Sequence, residues 1–343
     1  MTILITGGAG FIGSNVASYY LSKGQEVTIA DNLSRAGAQS NVEWLKKNHG
    51  RGLEFVNLDV KDAESVNKIV KDKDMIIHTA AQVTVTDSVT NPRNDMEINV
   101  LGTFNVMEAA RLSNENPFVI FTSTNKVYGD GINNIPLEET KTRWKFADQN
   151  YISGVPESFT TDFDKHSPYG VSKYSADLYV RDFSHVYGIP AVCFRQSCIY
   201  GTRQFGREEQ GWLAHFIISS ILKRDLNIYG DGKQVRDVLF IDDLCRAMDM
   251  AGDNKSSVRG KAYNIGGGPD NTLSLLELID ILEGINGSRI ERKFFDWRPA
   301  DQKVYISNIS RAKKEFGWEP KTSPINGINE VHSWVKDNIG LFK

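Results

Sequence analysis

Continuous apolar runs punctuate the first half of the chain. TILIT (residues 2–6), EVTIAD (26–31), LEFVNLDV (53–60), DMIIHTAA (74–81) and PFVIFTS (117–123) read as strands. They are apolar throughout rather than alternating, the pattern of parallel strands covered on both faces. Between them, residues 11–23 and 96–112 carry apolar positions at helical spacing. Strand-helix alternation of this kind implies a doubly wound parallel sheet, an α/β fold of Rossmann type. Residues 130–166 break the rhythm: polar, mixed in charge, dotted with aromatics and without a period. A segment that long is expected to be an excursion over a site. A long helix follows over residues 169–187, and AVCFRQS (191–197) returns the chain to the sheet. The remainder is less regular and is expected to form a smaller carboxy-terminal α/β domain that covers a substrate. The expected division is a cofactor domain over 1–180, to which the chain returns near 190–200 and 236–265, and a substrate domain over most of 181–343.

Composition narrows the class of partner. Of the 343 residues, 40% are hydrophobic and 24% charged, which is ordinary for a soluble globular protein. A net charge of −3 argues against nucleic acid as a main partner. No apolar run approaches the roughly 20 residues that span a bilayer, so no membrane partner is expected. Cys193, Cys198 and Cys245 have neither an even count nor metal-type spacing, which points to a reducing compartment. The first residues are apolar but lack a basic leader and run directly into a motif. A cytoplasmic enzyme without a signal peptide is the expectation.

That motif is ITGGAGFIG. Gly7, Gly10 and Gly13 follow the first strand and open a helix. Gly7 permits a tight turn, Gly10 lets the backbone approach a pyrophosphate, and Gly13 allows close helix–strand packing. The helix N-terminus adds amide donors for the anion. Asp31 ends the second strand, where a carboxylate accepts from ribose hydroxyls and repels a 2′-phosphate. NAD is therefore favoured over NADP. Arg35 works against that preference, since a nearby guanidinium holds such a phosphate. Asp59 follows the third strand, within reach of an adenine. Ala80 and Ala81 follow the fourth and leave room for a cofactor backbone. Each of these is also compatible with an ordinary loop.

HSPYGVSKYSADLYVRDF sets Tyr169 and Lys173 four apart, on one helical face. An ammonium near a phenol favours the phenolate, and such a tyrosine shuttles a proton to or from a sugar hydroxyl. Thr124 ends the fifth strand on the carboxyl edge, where open α/β sheets bind ligands. Its hydroxyl is placed to bond the same oxygen. The glycine motif, Asp31, the Thr124–Tyr169–Lys173 set and RQSCIYG resemble the extended short-chain dehydrogenase/reductase family of nucleotide-sugar epimerases and dehydratases, over nearly the whole chain. The resemblance implies tightly held NAD and a nucleoside-diphosphate sugar as partner. It also implies a homodimer or homotetramer that pairs through residues 96–112 and 169–187. The cofactor set becomes Gly7, Gly10, Phe11, Ile12, Gly13, Asp31, Asn32, Asp59, Val60, Ala80, Ala81, Gln82, Asn99, Thr122, Tyr169 and Lys173.

Family members that dehydrate hexoses carry an Asp-Glu pair after the threonine. Asn125 and Lys126 stand there instead, and neither serves as a carboxylic acid or carboxylate base. Dehydration at C4, C5 and C6 is thus disfavoured, even if Lys126 is only a solvated loop charge. STNKVYG, HSPYGVSK, TRQFGREEQGW and GDGKQVRDVLFIDDL are similar to the branch that epimerises CDP-linked 3,6-dideoxyhexoses at C2. The expected substrate set is Thr124, Asn125, Lys126, Ser197, Gln204, Gln210, Gly211, Trp212, Lys233, Gln234, Arg236, Arg298 and Asp301. Phe205 adds an aromatic face, and the cations serve a diphosphate. Trp144, Trp297, Trp318 and Trp334 read as packing. Epimerisation of a UDP-hexose at C4 uses the same Thr-Tyr-Lys set and stays open. So does a non-catalytic NAD-binding module, although such a module has no need of the Tyr-Lys pair.

Overall fold

Seven of the strands form one parallel sheet in this computed structural model, which describes residues 1–162, 165–298 and 301–342. Residues 163 and 164 of the long excursion, and Pro299 and Ala300 within DWRPADQKVYISN, lie outside the described residues. The strands are β1 (Thr2–Thr6), β2 (Glu26–Asp31), β3 (Leu53–Asn57), β4 (Met75–His78), β5 (Phe118–Thr124), β6 (Ala191–Gln196) and β7 (Lys261–Ile265). Their order is β7-β6-β5-β4-β1-β2-β3. The chain reverses its direction of travel across the sheet at β1, which pairs with both β2 and β4. Such a switch point opens a crevice at the carboxyl edge.

Each strand contributes to two cores. Ile3 and Ile5 join the cluster on one face, and Leu4 between them joins the cluster on the other. All three are fully buried, and burial of such a side chain is worth about 1.5–3 kcal/mol. The continuous apolar runs are thus the signature of a sheet sandwiched on both sides. The first cluster runs on, without a break, into the helices Trp212–Ile221, Ile241–Asp253, Leu275–Asn286 and Pro324–Asp337. A smaller mixed sheet, built on Val235–Phe240, pairs with Cys198–Tyr200, Thr272–Ser274 and Val304–Tyr305. Among the described residues, no helix is long and apolar enough to cross a membrane.

Two sequence expectations change. The described part of the 130–166 excursion has regular pieces: an antiparallel hairpin, Leu137–Glu139 with Trp144–Phe146, and short 3-10 turns. It packs a third apolar cluster around Tyr128, Ile132, Phe146 and Tyr305. Its elements are too short to display a period. The segment read as one helix over 96–112 is a π-helical turn, Glu97–Leu101, followed by an α-helix, Gly102–Leu112. Such turns cluster at functional sites because the inserted residue re-aims its neighbours.

Candidate active site

The turn after β1 forms one end of a cleft of about 520 Å³. Gly7 adopts φ +68°, and a Cβ there would sit 2.6 Å from the Ala80 nitrogen. A Cβ on Gly13 would sit 2.3 Å from the Gly7 carbonyl oxygen. Both glycines therefore hold backbone against backbone. Gly10 caps the helix Phe11–Ser22 and presents its N-terminus to the cleft. Asp31 closes the far side: Oδ2 accepts from the Ala9 amide at 3.1 Å and Oδ1 from the Leu33 amide at 2.8 Å. Burial raises its pKa, and these amides oppose the rise. Asn32 donates to Asp59 Oδ2 at 3.2 Å. With Phe11, Ile12, Val60, Ala80, Ala81 and Gln82, these residues line the same cleft. A tight amide-rich turn facing a carboxylate across an elongated cleft fits a dinucleotide.

The same cleft takes in Gln204 and Gln210, which sequence reading grouped with the substrate. Gln210 accepts a hydrogen bond from Arg35, so the loop after residue 200 is tied to the loop after β2. Arg35 and Arg207 both face the cleft, and their mutual repulsion adds to burial in lowering the Arg35 pKa.

The long helix is Pro168–Tyr187. It starts there because Ser167 accepts from the Gly170 amide at 3.1 Å and Pro168 occupies the first turn. It places Tyr169 and Lys173 against the end of β5. Burial pushes the Tyr169 pKa up to about 12, and a hydrogen bond with the Thr124 hydroxyl opposes the rise. Lys173 is buried; its Nζ donates to the Thr122 carbonyl at 2.5 Å and lies 4.2 Å from the Phe121 ring centroid. Burial draws its pKa down to about 7. Lys173 is thus aimed at the β5 backbone, and burial rather than the ammonium sets the direction of the Tyr169 shift. Asn99 is a scaffold for the cleft wall: it accepts from the Gln82 amide at 2.9 Å and donates to the Gln82 carbonyl, Asp95 and Ser172.

Sequence reading missed a buried polar layer beneath the pair. Asp177, one helical turn after Lys173, accepts from Arg195 Nε at 3.1 Å, Arg181 Nε at 2.7 Å and Ser123 Oγ at 3.0 Å. His78 bonds Thr6 Oγ1 at 2.6 Å through Nδ1 and Thr103 Oγ1 at 3.0 Å through Nε2. Burial, then the Lys173 charge, bring its pKa down to about 3. An Asp four residues after a Lys was visible on the helix. Its partners on β5 and β6 were not.

Across β5, Asn125 and Lys126 begin a 3-10 turn, Asn125–Tyr128. The Thr124 hydroxyl donates to Asn125 Oδ1 at 3.3 Å. Burial and then Arg236 lower the Lys126 pKa, with Asp301 and Cys198 opposing. Lys126 therefore faces the carboxy-terminal half and is not a solvated loop charge. Arg236 pairs with Asp301 at 2.5 Å, and Trp212 Nε1 donates to Cys198 Sγ at 3.4 Å. Gly211, at φ 73°, caps the Trp212 helix. Ser197 Oγ donates to Asp237 Oδ1 at 2.5 Å.

Other substrate candidates stand apart. Lys233 pairs with Glu139 at 2.7 Å, and Gln234 donates to the Tyr229 carbonyl at 2.7 Å. The Arg298 guanidinium stacks 4.0 Å from the Tyr229 centroid and donates to the Glu208 carbonyl. A second cleft of about 630 Å³ is lined by Trp144, Trp297, Arg298, Asp301 and Lys303. Trp318 is fully buried, and Trp334 packs against Phe205 and Phe342.

Residues 4–331 match the GDP-mannose 4,6 dehydratase family. The chain is 41% identical to CDP-paratose 2-epimerase of Salmonella typhi, covering 98% of this chain and 99% of that one. The crystal structure of UDP-glucose 4-epimerase with UDP-glucose from Thermotoga maritima is similar at a TM-score of 0.83 and 29% identity, over 99% of this chain and all of that one. UDP-glucuronic acid 4-epimerase from Bacillus cereus, in complex with UDP-glucuronic acid and NAD, is similar at 0.82 and 27%, over 98% and 100%. The chain belongs to the GDP-mannose 4,6 dehydratase family, within the extended short-chain dehydrogenase/reductases.

Proposed function

We propose that this family member is an NAD-dependent epimerase that inverts C2 of a CDP-linked 3,6-dideoxyhexose, converting CDP-paratose to CDP-tyvelose. The observation that carries the reading is the neighbourhood of Thr124: a Tyr169–Lys173 pair on one side, and Asn125 and Lys126, not carboxylates, on the other. The extent of identity with the 2-epimerase supports the choice of carbon and base. Bound in the cleft, NAD would supply reversible hydride acceptance. Thr124 holds the reacting hydroxyl oxygen. Tyr169 takes its proton and gives it back. Lys173 orients the ribose side of the cofactor, and Asp31 receives the adenosine ribose. Lys126, Arg236 and Arg298 hold the diphosphate while the sugar turns its other face. Asn125, Ser197, Gly211, Trp212, Lys233, Gln234 and Asp301 complete the substrate side, while Gln204 and Gln210 border the cofactor cleft. In this reading residues 1–180 carry the cofactor, and most of 181–343 the sugar nucleotide.

The active form is a homodimer. Leu101, Leu112, Val171, Leu178 and Val186 are exposed on the two helical segments outside the site, and together they form an apolar face suited to a second copy. Sedimentation of the Leu178→Lys variant as a monomer supports this; an unchanged species speaks against it.

Proton NMR of CDP-paratose with the purified protein in D2O tests the function, with UDP-glucose alongside. CDP-tyvelose without deuterium at C2 is the expected product. Deuterium at C2 replaces hydride return by deprotonation. Reaction of UDP-glucose alone moves the activity to C4.

A further inference from the structure

Residues 203–207 and 210 belong to the loop between the strand Cys198–Tyr200 and the helix Trp212–Ile221, yet they line the same cleft as the glycine turn. The root of this loop is stitched to the turn from two directions. Asn15, on the helix that the turn opens, donates to the Thr202 carbonyl at 3.0 Å. Arg203 is buried; its Nε donates to Asn41 Oδ1 at 2.9 Å and its Nη2 to the Ser40 carbonyl at 3.0 Å. Asn41, on the helix Ala38–His49, passes the link on, because its Nδ2 donates to the Ala9 carbonyl at 3.0 Å. The Arg203 guanidinium lies 4.9 Å from the Trp44 ring centroid and 5.7 Å from that of Trp334. Burying a cation is costly unless its donors are used. Here they are used to join the loop to the glycine turn. Phe205 then covers Gly37, at φ +84°, where a Cβ would sit 2.3 Å from the ring.

The tip is held differently. Arg207 and Gln210 close a turn by exchanging backbone hydrogen bonds at 2.9 and 3.0 Å. Between them, Glu208 accepts from Asn227 Nδ2 at 3.0 Å and from the Tyr229 hydroxyl, which ties the turn to the carboxy-terminal half. Toward the cofactor side, the Gln210 side chain accepts from Arg35 on the loop after β2. Among the described residues, that is the one hydrogen bond between the tip and this loop. The root is thus buried and held by several bonds, whereas the tip meets the far wall of the cleft through a single side-chain pair. Arg35 and Arg207 both face the cleft and repel each other. An anionic dinucleotide in the cleft offsets that repulsion.

We propose that residues 201–211 are a strap across the cofactor cleft, rooted on the glycine turn through Asn41 and Arg203 and latched at its tip by Arg35 and Gln210, so that NAD leaves only when the latch opens. Arg203 and Gln210 are positioning residues of this strap. The proposal rests on NAD as the cofactor and not on the choice of sugar. Its test uses no sugar nucleotide, so failure of the CDP-paratose assay leaves it unaffected. Holoprotein is loaded with 14C-labelled NAD, and release is followed after dilution into excess unlabelled NAD. Gln210→Ala should release the label about tenfold faster, the loss of one hydrogen bond from a charged donor. Gln210→Glu keeps an acceptor for Arg35 and should release it no faster than wild type. Were Gln210 a direct contact of the cofactor instead, the glutamate would also speed release, because a carboxylate repels the pyrophosphate. A wild-type rate in Gln210→Ala, or equally fast release from both variants, overturns the proposal. Wild-type protein supplies a check that does not depend on a variant folding. In amide hydrogen exchange of the segment 203–211, NAD should slow the tip, residues 207–210, about tenfold, while the root stays slow with and without it. Exchange at the tip that NAD leaves unchanged overturns the proposal equally.

Discussion

Replacement of Asp177 by Asn tests the buried layer under the Tyr169–Lys173 helix. Asp177 is fully buried, and the Arg195 side chain is 5% exposed. An amide keeps the shape but leaves the Arg195 guanidinium buried without its charge partner. Breaking a buried pair from one side costs about 3–5 kcal/mol. Unfolding entropy near 2.1 cal/mol/K per residue gives about 0.7 kcal/mol/K for 343 residues. The expected fall in Tm is therefore about 4–7 °C. Arg181→Ala is the control, since that side chain is 26% exposed and one turn away. Such a pair is worth about 0.3–1 kcal/mol, or about 1 °C. The deficit also has a pH signature. Burial raises the Asp177 pKa, but Arg195 and Arg181 outweigh it and hold the carboxyl below its ordinary value. A depressed carboxyl contributes stability that is present above the unfolded pKa of about 4 and is lost as pH falls through the folded one. The gap between wild type and Asp177→Asn should thus be full at pH 7 and shrink below about pH 4. Calorimetry at the two pH values checks this. Equal Tm for Asp177→Asn and Arg181→Ala at pH 7, or a gap that widens in acid, refutes the reasoning.

Tyr169→Phe should lower turnover by about 10²–10⁴-fold while leaving NAD content unchanged, because only the proton shuttle is removed; kcat and the cofactor released on denaturation measure the two. Gly13→Ala should cost about 1–3 kcal/mol and release the cofactor, because its Cβ meets the Gly7 carbonyl oxygen at 2.3 Å, where no side chain can yield. Lys173→Met should abolish turnover yet raise Tm at pH 6. The native lysine binds fewer protons than the unfolded one between about 7 and 10.5, so its cost is greatest below that window and fades as pH rises through it. A Tm gain that grows with pH would contradict that sign.

Much of the fold was legible because it is written locally. β1 and β2 coincide with the apolar runs TILIT and EVTIAD, since strands buried on both faces need no partner to be recognised. The glycine turn and Asp31 are likewise local, at fixed offsets from those strands. What escaped is non-local. Ser123 and Asp177 are 54 residues apart, and Asn99 and Ser172 are 73 apart. No spacing rule joins them, because the sheet order brings them together. The π-helical turn was invisible for a related reason: besides the local bond to Asp95, its Asn99 is held by Gln82 and Ser172, which lie far off in the sequence.

Gln210 and Lys126 mark the boundary between the two kinds of information. Their residue types promised polar contacts, and neither type says with what. Gln210 reaches the cofactor cleft because the loop after residue 200 folds back to Arg35. Lys126 turns to Arg236 and Asp301 because the 3-10 turn after Thr124 rotates successive side chains to opposite sides. In the proposed reading Thr124 and Lys126, two residues apart, serve different ends of one ligand: the reacting hydroxyl and the diphosphate. A family that exchanges the residues following this threonine changes what stands beside the sugar without moving Tyr169 or Lys173, which are anchored from β5 and the layer beneath. Lys126→Ala accordingly should raise KM for the sugar nucleotide about tenfold or more, the loss of one charge-assisted contact of ~1.5–3 kcal/mol, and leave the hydride-return label at C2 unchanged. A fall in kcat at constant KM would instead put Lys126 in the chemistry.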